Sequence, residues 1–193
     1  MTADPTRTAL KDRLARLAAG WVYGGVLAAL VLLGLFAVLT AGWSLVEKAV
    51  YLALPAYMLH QYEEHDDDRF RRYVNDRFAR GREVLTADAV LQINFWLVWV
   101  LLGAAIALVR LLGAEWAVLA GYLLVTNAVL HIGQAIALRS GNPGLVTSIL
   151  LFLPLGLAIL GLSGAGLGAH LLGIAAMVLL HAGLVIYIIR RMR

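Results

Sequence analysis

Six long apolar runs, at roughly 20–41, 44–62, 87–110, 115–138, 144–163 and 166–189, fill nearly the whole chain. Each is about as long as the 20 or so residues an α-helix needs to cross the hydrocarbon core of a bilayer, and none shows the period of two of a half-buried strand. The pattern predicts an all-α, polytopic membrane helix bundle with six transmembrane helices. Polar residues gather in two places, a basic tail over residues 1–19 and a stretch at about 63–86. The expected organisation is therefore a tail followed by one six-helix domain, 20–193, with 63–86 as its polar cytoplasmic segment.

Composition agrees with this reading. The chain is 62% hydrophobic and 15% charged, with a mean hydropathy of +0.82, far from a soluble globular domain. The first run is long enough to span and follows Arg7, Lys11, Arg13 and Arg16, so it reads as a retained helix and not a cleaved signal peptide. The tail itself, with apolar residues at helical spacing between basic ones, reads equally as a helix lying on the membrane surface or as a solvated positive anchor.

Charge sets the orientation, because Lys and Arg accumulate in short cytoplasmic loops. With both termini cytoplasmic, fourteen basic residues fall inside and only Lys48 and Arg110 outside. An even number of spans is required, in agreement with six, and the expected location is the cytoplasmic (inner) membrane. The net charge of +4 follows from topology. It does not indicate nucleic acid, since the basic residues border spans and lack interleaved aromatics. Cysteine is absent, which excludes disulfides, thiolate metal sites and cysteine nucleophiles.

The chemistry lies in polar residues inside the apolar runs. His60, Glu63 and Glu64 end the second run; Gln92 and Asn94 lie in the third; Asn127, His131 and Gln134 in the fourth; Thr147 and Ser148 in the fifth; His181 in the sixth. At a rise of about 1.5 Å per residue, His131 sits about 10 Å and His181 about 13 Å from the cytoplasmic edge. Five helices thus place hydrogen-bonding or ligating groups in one half of the bilayer, where each is costly unless it meets a partner or water. A shared polar pocket accounts for them together. Imidazoles and carboxylates converging from separate helices are a ligand set for zinc, iron or manganese. The expected ligands are His60, Glu63 or Glu64, and His131, with His181 next. Asn94, Asn127, Gln134 and Thr147 are expected to orient ligands or substrate, and whichever glutamate is left unligated is expected to act as general base. His65 and Asp66–Asp68 read more simply as a solvated acidic run at the interface, or as a balance for the arginines of Arg69–Arg72.

His60-x-x-Glu63-Glu64, the in-span Asn127-x-x-x-His131 and Asn142-Pro143-Gly144-Leu-Val-Thr147 together resemble the family of small bacterial integral membrane proteins named for its HXXEE motif. The resemblance implies a multi-span bacterial membrane protein with these polar residues as its site, and supplies no substrate. The zincin pattern His-Glu-x-x-His is missing, and the inverted His-x-x-Glu-His is broken by one extra glutamate. Intramembrane prenyl-protein proteases also pair adjacent glutamates with in-span histidine and asparagine, but their arginine follows the second glutamate by four residues, and Arg69 follows Glu64 by five.

Three functional classes remain. A metal-dependent membrane enzyme would act on a lipid or amphiphilic substrate entering from the cytoplasmic leaflet. A transporter for a metal ion or proton would need polar groups continuing to the outer surface, where chiefly His170 is found. A regulatory or assembly protein would use the cluster only to lock helices together. The blind-ended distribution favours the enzyme, with membrane lipids as surroundings and no nucleic acid as partner; oligomeric state is not encoded in the pattern.

Overall fold

The apolar runs fold as helices because in a bilayer only a helix or a closed barrel satisfies every backbone N–H and C=O. The computed structural model describes residues 5–192, with side chains from Arg13 onward apart from Leu14. The side chains of Arg7 and Lys11, on which the surface-lying reading of the tail depends, lie outside the described residues. Seven helices are described: α1 Pro5–Gly34, α2 Leu45–His65, α3 Arg69–Arg77, α4 Ala87–Leu112, α5 Ala117–Leu138, α6 Leu145–Leu162 and α7 Leu167–Met192. No strand occurs among the described residues. From Pro5 onward the tail and first span form one continuous helix, which gives way at Gly34 to a helical turn over Phe36–Leu39.

Five helices are long and apolar enough to cross a membrane: α1 from Ala15, α4, α5 with the turn before it, α6 and α7. The second expected span, α2, is 21 residues long but carries Glu47, Lys48, Glu63 and Glu64, and falls outside that group. Its surroundings explain how it tolerates them. It packs against α1, α4, α5 and α6, so its polar side chains meet protein before lipid. A capping box starts it, with Ser44 N–H donating to Glu47 at 2.6 Å.

Contacts along α2 give the directions of its neighbours. Near its start, Glu47 pairs with Arg110 of α4 at 2.9 Å and Tyr51 donates to the Leu32 carbonyl of α1 at 2.9 Å. Near its end, His65 stacks on Trp21 of α1 and Gln61 bonds to Asn94 of α4. Both α1 and α4 therefore run antiparallel to α2, and α2 is the element that carries the chain back between them. Gly121 of α5 and Gly156 of α6 pack backbone to backbone: a Cβ on Gly156 would lie 3.1 Å from the Gly121 carbonyl.

Past α2 the acidic run turns sharply through left-handed Asp67 and Asp68 (φ 51° and 61°). Asp66 pairs with Arg69 at 3.2 Å, Asp67 with Arg72 at 2.8 Å, and Asp68 with Arg71. These partly to fully exposed ion pairs neutralise the run, in line with the balancing role for Asp66–Asp68, and contribute little to stability. His65 departs from that reading, being buried against Glu64.

Candidate metal centre

Helical spacing places Tyr57, His60, Gln61 and Glu64 of α2 on its buried side, where α5 supplies His131, the loop into α6 supplies Asn142 and Gly144, and the first turn of α6 supplies Thr147. His60, Glu64 and His131 offer one ligand atom each, all within 4.8 Å of one another, and all three side chains are buried.

Each imidazole is held by its far nitrogen. His131 Nδ1 lies 2.8 Å from Asn142 Oδ1, and Asn142 Nδ2 donates to the His131 carbonyl at 2.8 Å. The amide oxygen can only accept, so Nδ1 carries the proton and Nε2 presents a lone pair. His60 Nδ1 lies 2.8 Å from Thr147 Oγ1. That hydroxyl spends its single proton on Glu63 Oε2 at 2.6 Å, so it accepts from His60, and His60 Nε2 is likewise bare.

Both bare nitrogens face one carboxylate. His60 Nε2 is 3.5 Å from Glu64 Oε2 and His131 Nε2 is 3.6 Å from Glu64 Oε1, beyond the roughly 2.7–3.2 Å of an N–H···O bond. An ionised carboxylate offers only lone pairs, so three acceptors face each other, and His60 Nε2 is buried without a partner. Such an orphan costs roughly 1–3 kcal/mol. A cation among the three removes that cost. Ligand atoms around a tetrahedral ion bound at about 2.0–2.1 Å stand roughly 3.3–3.5 Å apart, close to the 3.5 and 3.6 Å that separate the two imidazole nitrogens from the Glu64 carboxylate.

Glu63 points elsewhere. Its oxygens accept from the backbone N–H groups of Val146 at 3.0 Å and Thr147 at 2.7 Å, capping the first turn of α6, where N–H groups have no helical partner. Gly144 closes the site from below. Its φ is 91°, and a Cβ there would lie 2.7 Å from His60 Cε1 and 2.8 Å from His131 Cε1. Above, Phe152 stacks on His60 with ring centroids 4.2 Å apart. A π-helical stretch over Ser148–Phe152 delivers this ring, and such bulges are frequent at functional sites.

A second polar network lies behind Glu64. Trp99 Nε1 donates to Gln61 Oε1 at 2.7 Å, Gln61 Nε2 to Asn94 Oδ1 at 2.9 Å, and Asn94 Nδ2 to the Val90 carbonyl at 2.8 Å. Indole can only donate, which sets the direction of the whole chain. His65 Nε2 sits at its side, 3.2 Å from Glu64 Oε2.

Residues 51–159, more than half of the chain, match the family model described as a protein of unknown function with HXXEE motif. The chain belongs to the HXXEE family. No curated protein and no solved structure matches it. In this HXXEE protein the motif's first histidine and last glutamate face the centre, and its first glutamate ties the motif to α6.

Of the residues singled out in sequence, the structure brings His60, Glu64 and His131 together and places Thr147 behind His60. Asn94 belongs to the network beside His65, and Asn127 Nδ2 donates to Tyr57 Oη at 2.9 Å. His181 stands apart from the three; its Nδ1 bonds to the Met177 carbonyl at 2.7 Å, and with Gln134 it lines a cavity of about 840 Å³. The wall is largely apolar, including Leu97, Leu130, Leu184 and Ile188, and Glu64 and His131 are among its polar lining residues. The network through Gln61 and Trp99, and the packing role of Gly144, were missed in sequence. Gln61 carried one signal: it lies four residues before His65, on the same helical face.

Proposed function

We propose that this protein is a metal-dependent integral membrane enzyme acting on a lipid or amphiphilic substrate taken from the cytoplasmic leaflet. The observation that carries the reading is the pair of bare imidazole nitrogens, His60 Nε2 and His131 Nε2, aimed at the Glu64 carboxylate where that carboxylate borders an apolar cavity. In this reading His60, His131 and Glu64 hold one zinc, iron or manganese ion. Two histidines and one carboxylate leave a coordination position open to substrate, as in catalytic sites. A metal bound there would supply a Lewis acid or an activated water. Thr147 and Asn142 fix the imidazole tautomers, and Glu63, saturated by hydrogen bonds, positions α6 instead of serving as a base.

The cavity supports lateral entry, because its lining includes Val129 on α5 and Val185 and Ile189 on α7, which are exposed on the apolar flank of the bundle. The path towards the opposite end supports chemistry over transport, since Phe152 and Leu124 are fully buried beyond the centre. We place the protein in the cytoplasmic membrane with six spans and both termini inside. The parallel course of α1 and α4 supports α2 as the sixth crossing.

Elemental analysis of detergent-purified protein tests the metal reading. Stoichiometric zinc, iron or manganese in the wild type, lost in His60→Ala and His131→Ala, is the expected result. No metal in the wild type even after reconstitution would sink the enzyme proposal and leave the cluster as a structural network.

A further inference from the structure

Tyr57 and Asn127 form a second rung on the same two helices that carry the metal ligands. Tyr57 lies seven residues before Glu64 on α2, and Asn127 four before His131 on α5, so the pair sits deeper in the bundle than the centre. Both side chains line the cavity. Asn127 Nδ2 donates to Tyr57 Oη at 2.9 Å, which leaves the phenol proton free to be given, and Asn127 Oδ1 is buried without a partner. Turning the amide over exchanges the roles and still leaves one donor and one acceptor. The rung is a hydrogen-bonding pair whose second half is unfilled.

The charge of the lining narrows what can fill it. Among the described residues, no lysine or arginine lines the cavity, and its one carboxylate, Glu64, is the one that faces His60 and His131 at the metal centre. A phosphate head seated on the rung would touch only the neutral phenol and amide, four helical residues or about 6 Å from the metal, and an ammonium head would lie near a divalent ion whose carboxylate is already taken by it; buried charge without a partner in contact is costly. A neutral head meets neither penalty.

Resting on the metal-centre reading above, we propose that the cavity takes an uncharged alkyl-chain amphiphile whose head both donates and accepts a hydrogen bond, such as a fatty amide. Tyr57 and Asn127 read the head, and the apolar wall formed by α4, α5 and α7 takes the chain.

The test is native mass spectrometry of the metal-loaded protein released from nanodiscs containing dodecanamide, methyl dodecanoate or dodecyl phosphate. Wild type is expected to retain dodecanamide, to hold the acceptor-only ester roughly tenfold more weakly, the worth of about one hydrogen bond, and to release the phosphate. Tyr57→Phe and Asn127→Leu are each expected to weaken amide retention roughly tenfold while the metal stays in the measured mass. Retention of dodecyl phosphate as strong as that of the amide overturns the proposal, as does unchanged amide retention in both variants. Amide preference without any metal mass would overturn the metal reading alone; metal mass without head preference would overturn this inference alone.

Discussion

Glu63 and Glu64 are neighbours in the chain, yet their carboxylates serve different helices. Glu64 faces His60 and His131 at 3.5 and 3.6 Å, whereas Glu63 reaches across to accept from Val146 and Thr147 at 3.0 and 2.7 Å. The adjacent pair therefore combines a candidate ligand with a clamp that holds the His60-orienting loop in place. Glu64→Gln is expected to abolish metal binding with little loss of folding stability, since the amide keeps the side chain's volume and polarity. Glu63→Gln is expected to keep the metal but lower stability by roughly 1.5–3 kcal/mol, the scale of hydrogen bonds to a charged group. Metal content and thermal unfolding in detergent, measured on both variants, separate the two roles; metal loss in Glu63→Gln with Glu64→Gln unaffected would reverse the assignment.

Thr147 links clamp and ligand, because one hydroxyl accepts from His60 Nδ1 and donates to Glu63. Thr147→Val keeps the shape and removes both bonds. A roughly 10–100-fold loss of metal affinity is expected, the usual effect of removing a group that orients a metal-bound histidine. Thr147→Ser, which restores the hydroxyl, should recover most of it. Competition titration with a chromogenic chelator reads the difference, and equal affinity in wild type and Thr147→Val would mean that the tautomer of His60 does not matter.

Much of this arrangement was readable from the chain, and the boundary of what was readable has physical causes. The apolar runs became helices within a few residues because hydrophobic length alone specifies a helix where backbone groups cannot bond to water. His60 and His131, 71 residues apart by number, met because polar groups at one depth in a bilayer are driven to share a pocket. Helical spacing left Glu63 and Glu64 equivalent, since positions three and four residues beyond His60 share its face; the choice between them is made by the unsatisfied N–H groups of α6, a tertiary partner. Depth also placed His181 alongside the ligands, but depth carries no lateral position, and its ring lies on the cavity wall. Gly144 was visible only as part of a motif, because the reason for a glycine there is two imidazoles from other helices.

Gly144→Ala tests that packing. A Cβ would lie within 2.8 Å of both imidazoles, and the left-handed φ adds about 1–2 kcal/mol of backbone strain for any L-residue. At least tenfold weaker metal binding and a lower unfolding temperature are expected. Gly133→Ala is the control, being helical with nothing within 4 Å of its added Cβ, and it should behave like wild type. If the two alanine variants bind metal equally well, the loop does not hold the rings.

The chain contains no cysteine, so single cysteines report topology without background. Glu83, in the segment after α3, is exposed at the end of the bundle that holds His65 and the α7 C-terminus; Gly164, in the turn between α6 and α7, is exposed at the other. With six spans and an inward-facing site, a membrane-impermeant maleimide added to intact cells should label Gly164→Cys and spare Glu83→Cys until the membrane is opened. The reverse pattern would put the metal centre in the outer leaflet and remove the cytoplasmic-leaflet substrate. Three crossings, α4, α5 and α6, separate these two positions, so labelling of both from outside would mean that one of those three does not cross. For α2 the report is Ala41→Cys, exposed in the turn between α1 and α2, which should label with Gly164→Cys if α2 crosses and stay protected with Glu83→Cys if it does not.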